Sequence, residues 1–253
     1  MACGNQTLDY KGFGTEQIEI ETKRLFPDYR IARMDQDTTR RKHAYEKLIE
    51  KMTHRKIDIL IGTQMVAKGL DFSHVGLVGV MQADSILNFP DFRAFERSFQ
   101  LLQQVAGRAG RGKIHGDVII QTFNPDHEVM QYVRNYDYLG MFLQDIKDRK
   151  KFHYPPYSRL IQISFRYRKY TEMRAAACWY ADTLRSAFPD LVLGPEDPLV
   201  GRIRNQYITH VLFKIPNNFN LAKVKRQLKA IDNHFKSIPQ FRVIDVVMDV
   251  DPV

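Results

Sequence analysis

Ile57-Asp58-Ile59-Leu60-Ile61-Gly62-Thr63 is the stretch on which the fold turns. Four of its first five residues are aliphatic and mostly β-branched, with Asp58 between them, and the run stops at a glycine, the pattern of a strand buried on both faces of a parallel sheet. Gly76-Leu77-Val78-Gly79-Val80-Met81 and Asp117-Val118-Ile119-Ile120-Gln121-Thr122 read the same way. Around these runs the apolar spacing changes to three and four. Ile18, Thr22, Leu25 and Phe26 share a helical face, and Tyr29 to Met34 then reads as a strand ending at Asp35. Ala44, Leu48, Ile49 and Met52 define a second helix, with Asp37, Thr38 and Thr39 as capping candidates, and residues 92–106 a third. Strands alternating with helices predict a three-layer α/β domain around a parallel sheet with right-handed crossovers. In such domains ligand loops lie at the carboxyl ends of strands, where Gly62-Thr63 and Asp84 fall.

From His127 to Lys151 the pattern is helical with a charged end, and Tyr154-Pro155-Pro156-Tyr157 follows. Consecutive prolines cannot continue a helix, so a domain boundary is expected at 151. Beyond it the order is strand (159–167), helix (172–188), strands at 191–193 and 207–215, helix, and strand (241–250). That βαββαβ order predicts a smaller α+β, ferredoxin-like domain, an antiparallel sheet with helices on one face.

The chain has 253 residues, 44% of them hydrophobic, enough for one large or two ordinary domains, and a formal charge of +9. The charge favours a polyanionic partner, because clustered Lys and Arg gain from releasing counterions condensed on nucleic acid. No run of about 18 apolar residues and no signal-peptide order occur, so no membrane association and a cytoplasmic location are expected. Cys3 and Cys178 are too few and too far apart for a disulfide framework, and Cys178 reads as a buried structural thiol. Phe89, Phe92, Phe95 and Phe99 fit a helical core face better than a set of base-stacking platforms. The eight histidines form no metal-ligand spacing.

Two segments carry chemistry. Gly62-Thr63-Gln64 through Lys68-Gly69-Leu70-Asp71-Phe72 follows a strand and offers backbone N–H, hydroxyl and amide groups to phosphate oxygens, while Asp71 can accept from a ribose hydroxyl. As an isolated feature it reads equally well as an ordinary loop. Gln104-Val105-Ala106-Gly107-Arg108-Ala109-Gly110-Arg111 has the form Q-x-x-G-R-x-G-R, in which two arginines sit beside small residues that let a phosphate come close. No G-x-x-x-x-G-K-[ST] phosphate loop accompanies it.

The pair resembles the second RecA-like lobe of superfamily 2 helicases, a P-loop NTPase-like fold. Further segments extend the likeness: Gly12-Phe13-Gly14-Thr15-Glu16, Arg33-Met34-Asp35-Gln36-Asp37-Thr38-Thr39, Ala83-Asp84, Pro90-Asp91-Phe92-Arg93-Ala94-Phe95-Glu96-Arg97 and Tyr154-Pro155-Pro156-Tyr157. With these the chain, from Cys3 to Asp251-Pro252, resembles the PriA family of primosomal replication-restart helicases. The resemblance implies the C-terminal part of an ATP-dependent 3′-to-5′ DNA helicase that recognises stalled forks and restarts replication. Residues 1–12 would be the remnant of a zinc-binding insertion, 13–151 the helicase lobe and 152–253 the C-terminal domain. The Walker loop would then lie in a first lobe that is not in this sequence.

By the same resemblance Arg108 and Arg111 are arginine fingers for the γ-phosphate of ATP with its Mg²⁺, and Gln104 positions them or the attacking water. Gly69 and Asp71 face the nucleotide. Thr63, Gln64 and Lys68 contact DNA phosphates. Arg202, Arg204 and Tyr207 match a family segment written Arg-Leu-Arg-Gly-x-Tyr-Arg-Trp and would bind DNA, although Ile208 and Thr209 stand where that segment has Arg and Trp. Cys3 would be a zinc ligand in the full-length protein only, with no zinc expected on this chain. The implied partners are forked and single-stranded DNA, single-strand-binding protein and other primosome proteins. A non-enzymatic reading stands beside this one: a basic module that binds fork DNA or docks single-strand-binding protein.

Overall fold

A computed structural model describes residues 14–40, 43–63, 72, 74–110 and 116–252. The chain divides into two compact units, Met1–Phe142 and Leu143–Val253.

The first unit contains α1 (Thr15–Leu25), β1 (Ile31–Met34), α2 (Ala44–Thr53), β2 (Ile59–Gly62), β3 (Leu77–Val80), α3 (Asp84–Leu87), α4 (Ala94–Ala106), β4 (Asp117–Ile120) and α5 (Glu128–Arg134). Helix α6 (Tyr138–Lys151) runs across the division. Both strand pairs described in this unit are parallel, as the sequence predicts, but the expected burial on both faces is not found: β3 and β4 alternate exposed and half-buried positions, with Leu77 and Ile119 open to solvent. β1 pairs β2 from Ile31 opposite Ile59 to Met34 opposite Gly62, and β3 pairs β4 from Leu77 opposite Asp117 to Val80 opposite Ile120. Among the described residues these are two separate two-stranded sheets, where the sequence predicts one. Helix α4 buries Phe99 and Leu102 against Val129, Met130, Val133 and Met141, the core that holds the end of α4 in place.

Three local expectations are corrected. The helical stretch 127–151 breaks at Asn135–Asp137, where Tyr136 takes φ 54° and the Asp137 carboxylate accepts from the Gly140 N–H at 2.8 Å, capping α6. Asp37, Thr38 and Thr39 do not cap α2, whose N-cap is His43. They fold back on Asp35 instead. Of the four phenylalanines, Phe99 is core, Phe92 and Phe95 are half-buried, and Phe89 is exposed.

The second unit contains β5 (Ser158–Tyr167), α7 (Tyr170–Ala187), β6 (Val192–Glu196), β7 (Arg202–Ile203), β8 (Gln206–Pro216), α8 (Leu221–Ser237) and β9 (Asp245–Val250). The strand order is β6-β8-β5-β9, every neighbouring pair is antiparallel, and the short β7 adds to the start of β8. Alternation puts Ile161, Ile163 and Phe165 of β5 on one face with Val211, Phe213 and Ile215 of β8. Met173, Ala177, Tyr180 and Leu184 of α7 and Val224, Leu228, Ile231 and Phe235 of α8 belong to the same core. The small Ala176 and Ala177 let α7 approach the sheet, and edge-to-face contacts of Phe165 with Tyr180 (5.4 Å) and Phe235 (6.0 Å) fill the centre. Such aromatic pairs contribute about 0.5–1.5 kcal/mol each beyond their buried area. Asn220 caps α8, accepting from the N–H groups of Ala222 and Lys223 at 3.0 and 3.2 Å. Cys178 is half-buried, more accessible than its sequence setting predicts.

The proline-rich segment is fixed to β8. Lys214, buried, donates from Nζ to the Phe152 carbonyl at 2.8 Å and lies 3.6 Å from the centre of the Tyr154 ring. Asn217 donates from Nδ2 to the Pro156 carbonyl at 2.7 Å.

Candidate functional site

Helix α4 ends at Ala106 because Gly107 and the residues after it exchange the α-helical ladder for tighter turn bonds. Arg108 N–H donates to Val105 O at 3.0 Å and Ala109 N–H to Ala106 O at 3.2 Å. The turn is then tied down when Gly110 N–H donates to Val75 O at 3.1 Å, just ahead of β3. Gly110 has φ 72°, a conformation that costs other residues about 1 kcal/mol or more. Gly107, at φ −67°, has no such need. Gln104 is exposed on the last helical turn, while its neighbour Gln103 points inward and donates from Nε2 to Val133 O at 2.8 Å. Arg108, half-buried, follows four residues after Gln104, so the helix end carries both groups on a backbone held at two points.

Thr63 is exposed and directly follows the last β2 residue, Gly62. Beside β2, at the end of β1, Asp35 organises a cluster that joins two of the quoted sequence segments. Its carboxylate accepts from Thr15 Oγ1 at 2.7 Å, Thr38 N–H at 2.9 Å and Asp37 N–H at 3.1 Å, and lies 3.4 Å from Arg33 Nε. Arg33 Nε is also 3.3 Å from Glu19. Burial opposes ionisation of Asp35, but the Thr15 and Thr38 bonds and the Arg33 charge outweigh it and hold the carboxyl below its ordinary range.

At the end of β3, Asp84 makes a second latch. It accepts from Thr122 Oγ1 at 2.9 Å and from the Phe123 N–H, and Ala83 N–H donates to Gln121 O at 3.0 Å. Asp84 therefore ties the ends of two parallel strands together. Next to it, Asp91 accepts from Arg97 Nη1 at 2.9 Å and Arg93 N–H at 2.8 Å, while the Arg93 guanidinium lies 4.2 Å from the Phe92 ring centre. The spacing of Pro90 to Arg97 thus fixes the entry to α4, the helix that carries Gln104 and leads into the turn with Arg108.

In the second unit Arg202 and Tyr207 face each other across the β7–β8 hairpin, the guanidinium 4.9 Å from the ring centre. Arg202 also donates from Nη2 to Asn205 Oδ1. The two turn residues, Arg204 (φ 48°) and Asn205 (φ 64°), both have positive φ, the geometry that matches the twist of a two-residue hairpin. Tyr207 contacts Tyr170 edge-on at 5.6 Å, and Tyr170 OH donates to Asp197 Oδ2 at 2.7 Å. Tyr207 is accordingly a support for Arg202 rather than an open ring. The sequence reading named Arg202, Arg204 and Tyr207 and missed Asn205, Tyr170 and Asp197. Asn205 is itself a turn signal; the other two are distant in sequence and carry none.

Cys3, Gln64, Lys68, Gly69, Asp71 and Arg111 lie outside the described residues. Among the described residues no group of three His, Cys, Asp or Glu could hold a metal ion, so no zinc set can be assembled from them. Among the same residues no helix is long and apolar enough to cross a membrane.

The family described as "Helicase conserved C-terminal domain" matches residues 6–113, and "Primosomal protein N C-terminal domain" matches residues 150–253. Replication restart protein PriA of Bacillus subtilis is 37% identical over 252 residues, 99% of this chain and 31% of that protein. Its counterpart from Synechocystis is 38% identical over 253 residues, 99% of this chain and 30% of that protein. The Treponema pallidum protein is 39% identical over 257 residues, again 99% of this chain and 37% of that protein. The chain therefore spans about a third of the length of these curated relatives.

Proposed function

The chain belongs to the PriA family of replication restart proteins over the part that it spans, and from that membership we propose that it serves an ATP-dependent 3′-to-5′ DNA helicase that recognises stalled forks and restarts replication. Within it, residues 13–151 act as the second RecA-like lobe and 152–253 as a C-terminal domain of ferredoxin-like type, a reading supported by its strand order and its two helices on one face.

The observation that carries the proposal is the anchored end of α4, where a half-buried arginine and an exposed glutamine follow a well-packed helix. ATP and Mg²⁺ supply the phosphoryl group and its charge neutralisation. Arg108 and Arg111 balance charge on the phosphate oxygens as it spreads in the transition state. Gln104 orients the attacking water or the arginines, and Gly69 and Asp71 hold the nucleotide. Thr63, Gln64 and Lys68 grip the phosphates of one DNA strand, so closure of the lobes moves that grip along it. Arg202 and Arg204, the first seated on Tyr207, add phosphate contacts in the C-terminal domain. Cys3 completes a zinc set in the full-length protein, and single-strand-binding protein and primosome proteins are the partners.

DNA-stimulated ATP hydrolysis by the full-length protein and by this chain tests the reading. Turnover is expected from the first and not from the second, whose arginines have no phosphate cradle to act upon. Turnover by this chain alone would contradict it.

A further inference from the structure

The solvent side of α8 is a row of cations. Val224, Leu228, Ile231 and Phe235 face the core, and on the opposite side Lys223, Lys225, Arg226 and Lys229 are all exposed. They lie within the first three turns, on about 9 Å of helix. Other helices offset such charges with an acid one turn away: Lys23 meets Glu19 at 2.7 Å, Arg24 meets Glu21 at 2.8 Å and Arg185 meets Asp182 at 2.7 Å. In α8 the one acid, Asp232, takes Lys236 at 2.7 Å, and none of the other four cations has an ion-pair partner among the described residues. Arg159 of β5, also exposed and outside any ion pair, lines the same small cleft as Lys225 and brings a fifth charge to the start of the helix.

This arrangement works against the helix itself. Cations in its first two turns oppose the positive end of the helix dipole, and the first turn holds no acid. Lys225 and Lys229 are like charges four residues apart, as Lys223 and Arg226 are three apart. A bound polyanion reverses the sign of each of these effects. Phe235 is the helix's only Phe, Tyr or Trp and it is buried, so the face offers no ring on which unpaired bases could stack, the device of single-strand binding. A cationic face without rings reads phosphate charge alone, and that charge is densest along a duplex.

We propose that the solvent face of α8, with Arg159 beside it, is a docking surface for the phosphate backbone of double-stranded nucleic acid. The surface is separate from Arg202 and Arg204, because β8, 11 residues and so about 35 Å long, lies between their hairpin and the start of α8. It does not depend on those arginines meeting DNA.

The test uses this chain, a labelled DNA duplex and the matching single strand, with binding read by anisotropy over a range of salt concentrations. Arg226→Gln with Lys229→Gln keeps good helix formers at two exposed positions, and its melting temperature is expected to match that of wild type or exceed it. Its duplex affinity at low salt is expected to fall about tenfold or more, and its salt slope to flatten by about 1.8, which is about 0.9 for each lost contact. Lys23→Gln with Arg24→Gln removes the same charge from α1 and is expected to leave the slope as it is. Lys225→Arg with Lys229→Arg is expected to bind as wild type, since phosphates read the charge. Equal losses in the α8 and α1 glutamine variants would reduce the effect to net charge and overturn the proposal, as would a loss confined to the single strand. An Asp- and Glu-rich peptide whose binding needs Arg226 and Lys229, when duplex binding does not, would give the face to a protein and overturn it too. Duplex binding lost in Arg202→Ala with Arg204→Ala but kept in the α8 glutamine variant would overturn it while leaving the reading of those two arginines intact.

Discussion

The backbone N–H of Phe123 donates to both carboxylate oxygens of Asp84, at 3.2 and 3.1 Å, so the loop after β4 is fastened to the end of β3 by one side chain. Thr122 adds its hydroxyl to the same carboxylate. Asp84→Ala should therefore lower the unfolding free energy of the first unit by about 1–3 kcal/mol, the cost of leaving these donors without their charged acceptor, and Thr122→Val by about 1 kcal/mol. Urea unfolding followed on the two variants checks this. Wild-type stability for Asp84→Ala would remove the latch.

Asp35 gives a pH dependence with a definite sign. Its carboxyl titrates below the ordinary range in the folded chain, so the stability it contributes is complete above the unfolded pKa of about 3.9. That contribution shrinks as pH falls below this value and is gone once pH has passed the lowered native one. Unfolding free energy measured from about pH 6 to about pH 2 should fall less steeply in Asp35→Asn than in wild type. At neutral pH Asp35→Ala should cost about 2–3 kcal/mol, less than a fully isolated buried pair because Glu19 still faces Arg33.

The two glycines of the arginine segment separate backbone need from ligand approach. Gly110→Ala meets φ 72° and should destabilise by about 1 kcal/mol or more. Gly107→Ala has an ordinary φ, and an added Cβ would come no nearer than 3.4 Å to Gln103 O, so folding should be unaffected. If Gly107→Ala nevertheless lowers ATP turnover of the full-length protein without changing its melting temperature, Gly107 is kept for approach of a phosphate. Equal melting temperatures for the two variants would sink this division of roles.

The apolar runs at 57–61, 76–81 and 117–122 made the parallel pairing legible, but not the burial: one face of β3 and β4 is exposed among the described residues, at Leu77 and Ile119. The second unit was legible from strict alternation in β5 and from the three-and-four spacing of α8. What escaped were the features set by side-chain bonds to backbone. Asp37, Thr38 and Thr39 had the composition of a helix cap, and the competing demand of Asp35 for donors took them. The break at Tyr136 escaped because Asp137 offers a new cap inside an otherwise helical pattern. Among candidate site residues the arginines were named from motif alone. The rings that hold Arg202 were not, because Tyr170 and Tyr207 come from separate elements and meet only through the fold.

The central claim is that the residues after α4 act on the γ-phosphate. It is tested most directly by DNA-stimulated ATP hydrolysis of the full-length protein carrying Arg111→Ala, with DNA binding measured in parallel. Turnover should fall by about 10³-fold or more while DNA affinity stays close to wild type, because the arginine stabilises charge that exists only in the transition state. Turnover retained at the wild-type rate would contradict the claim.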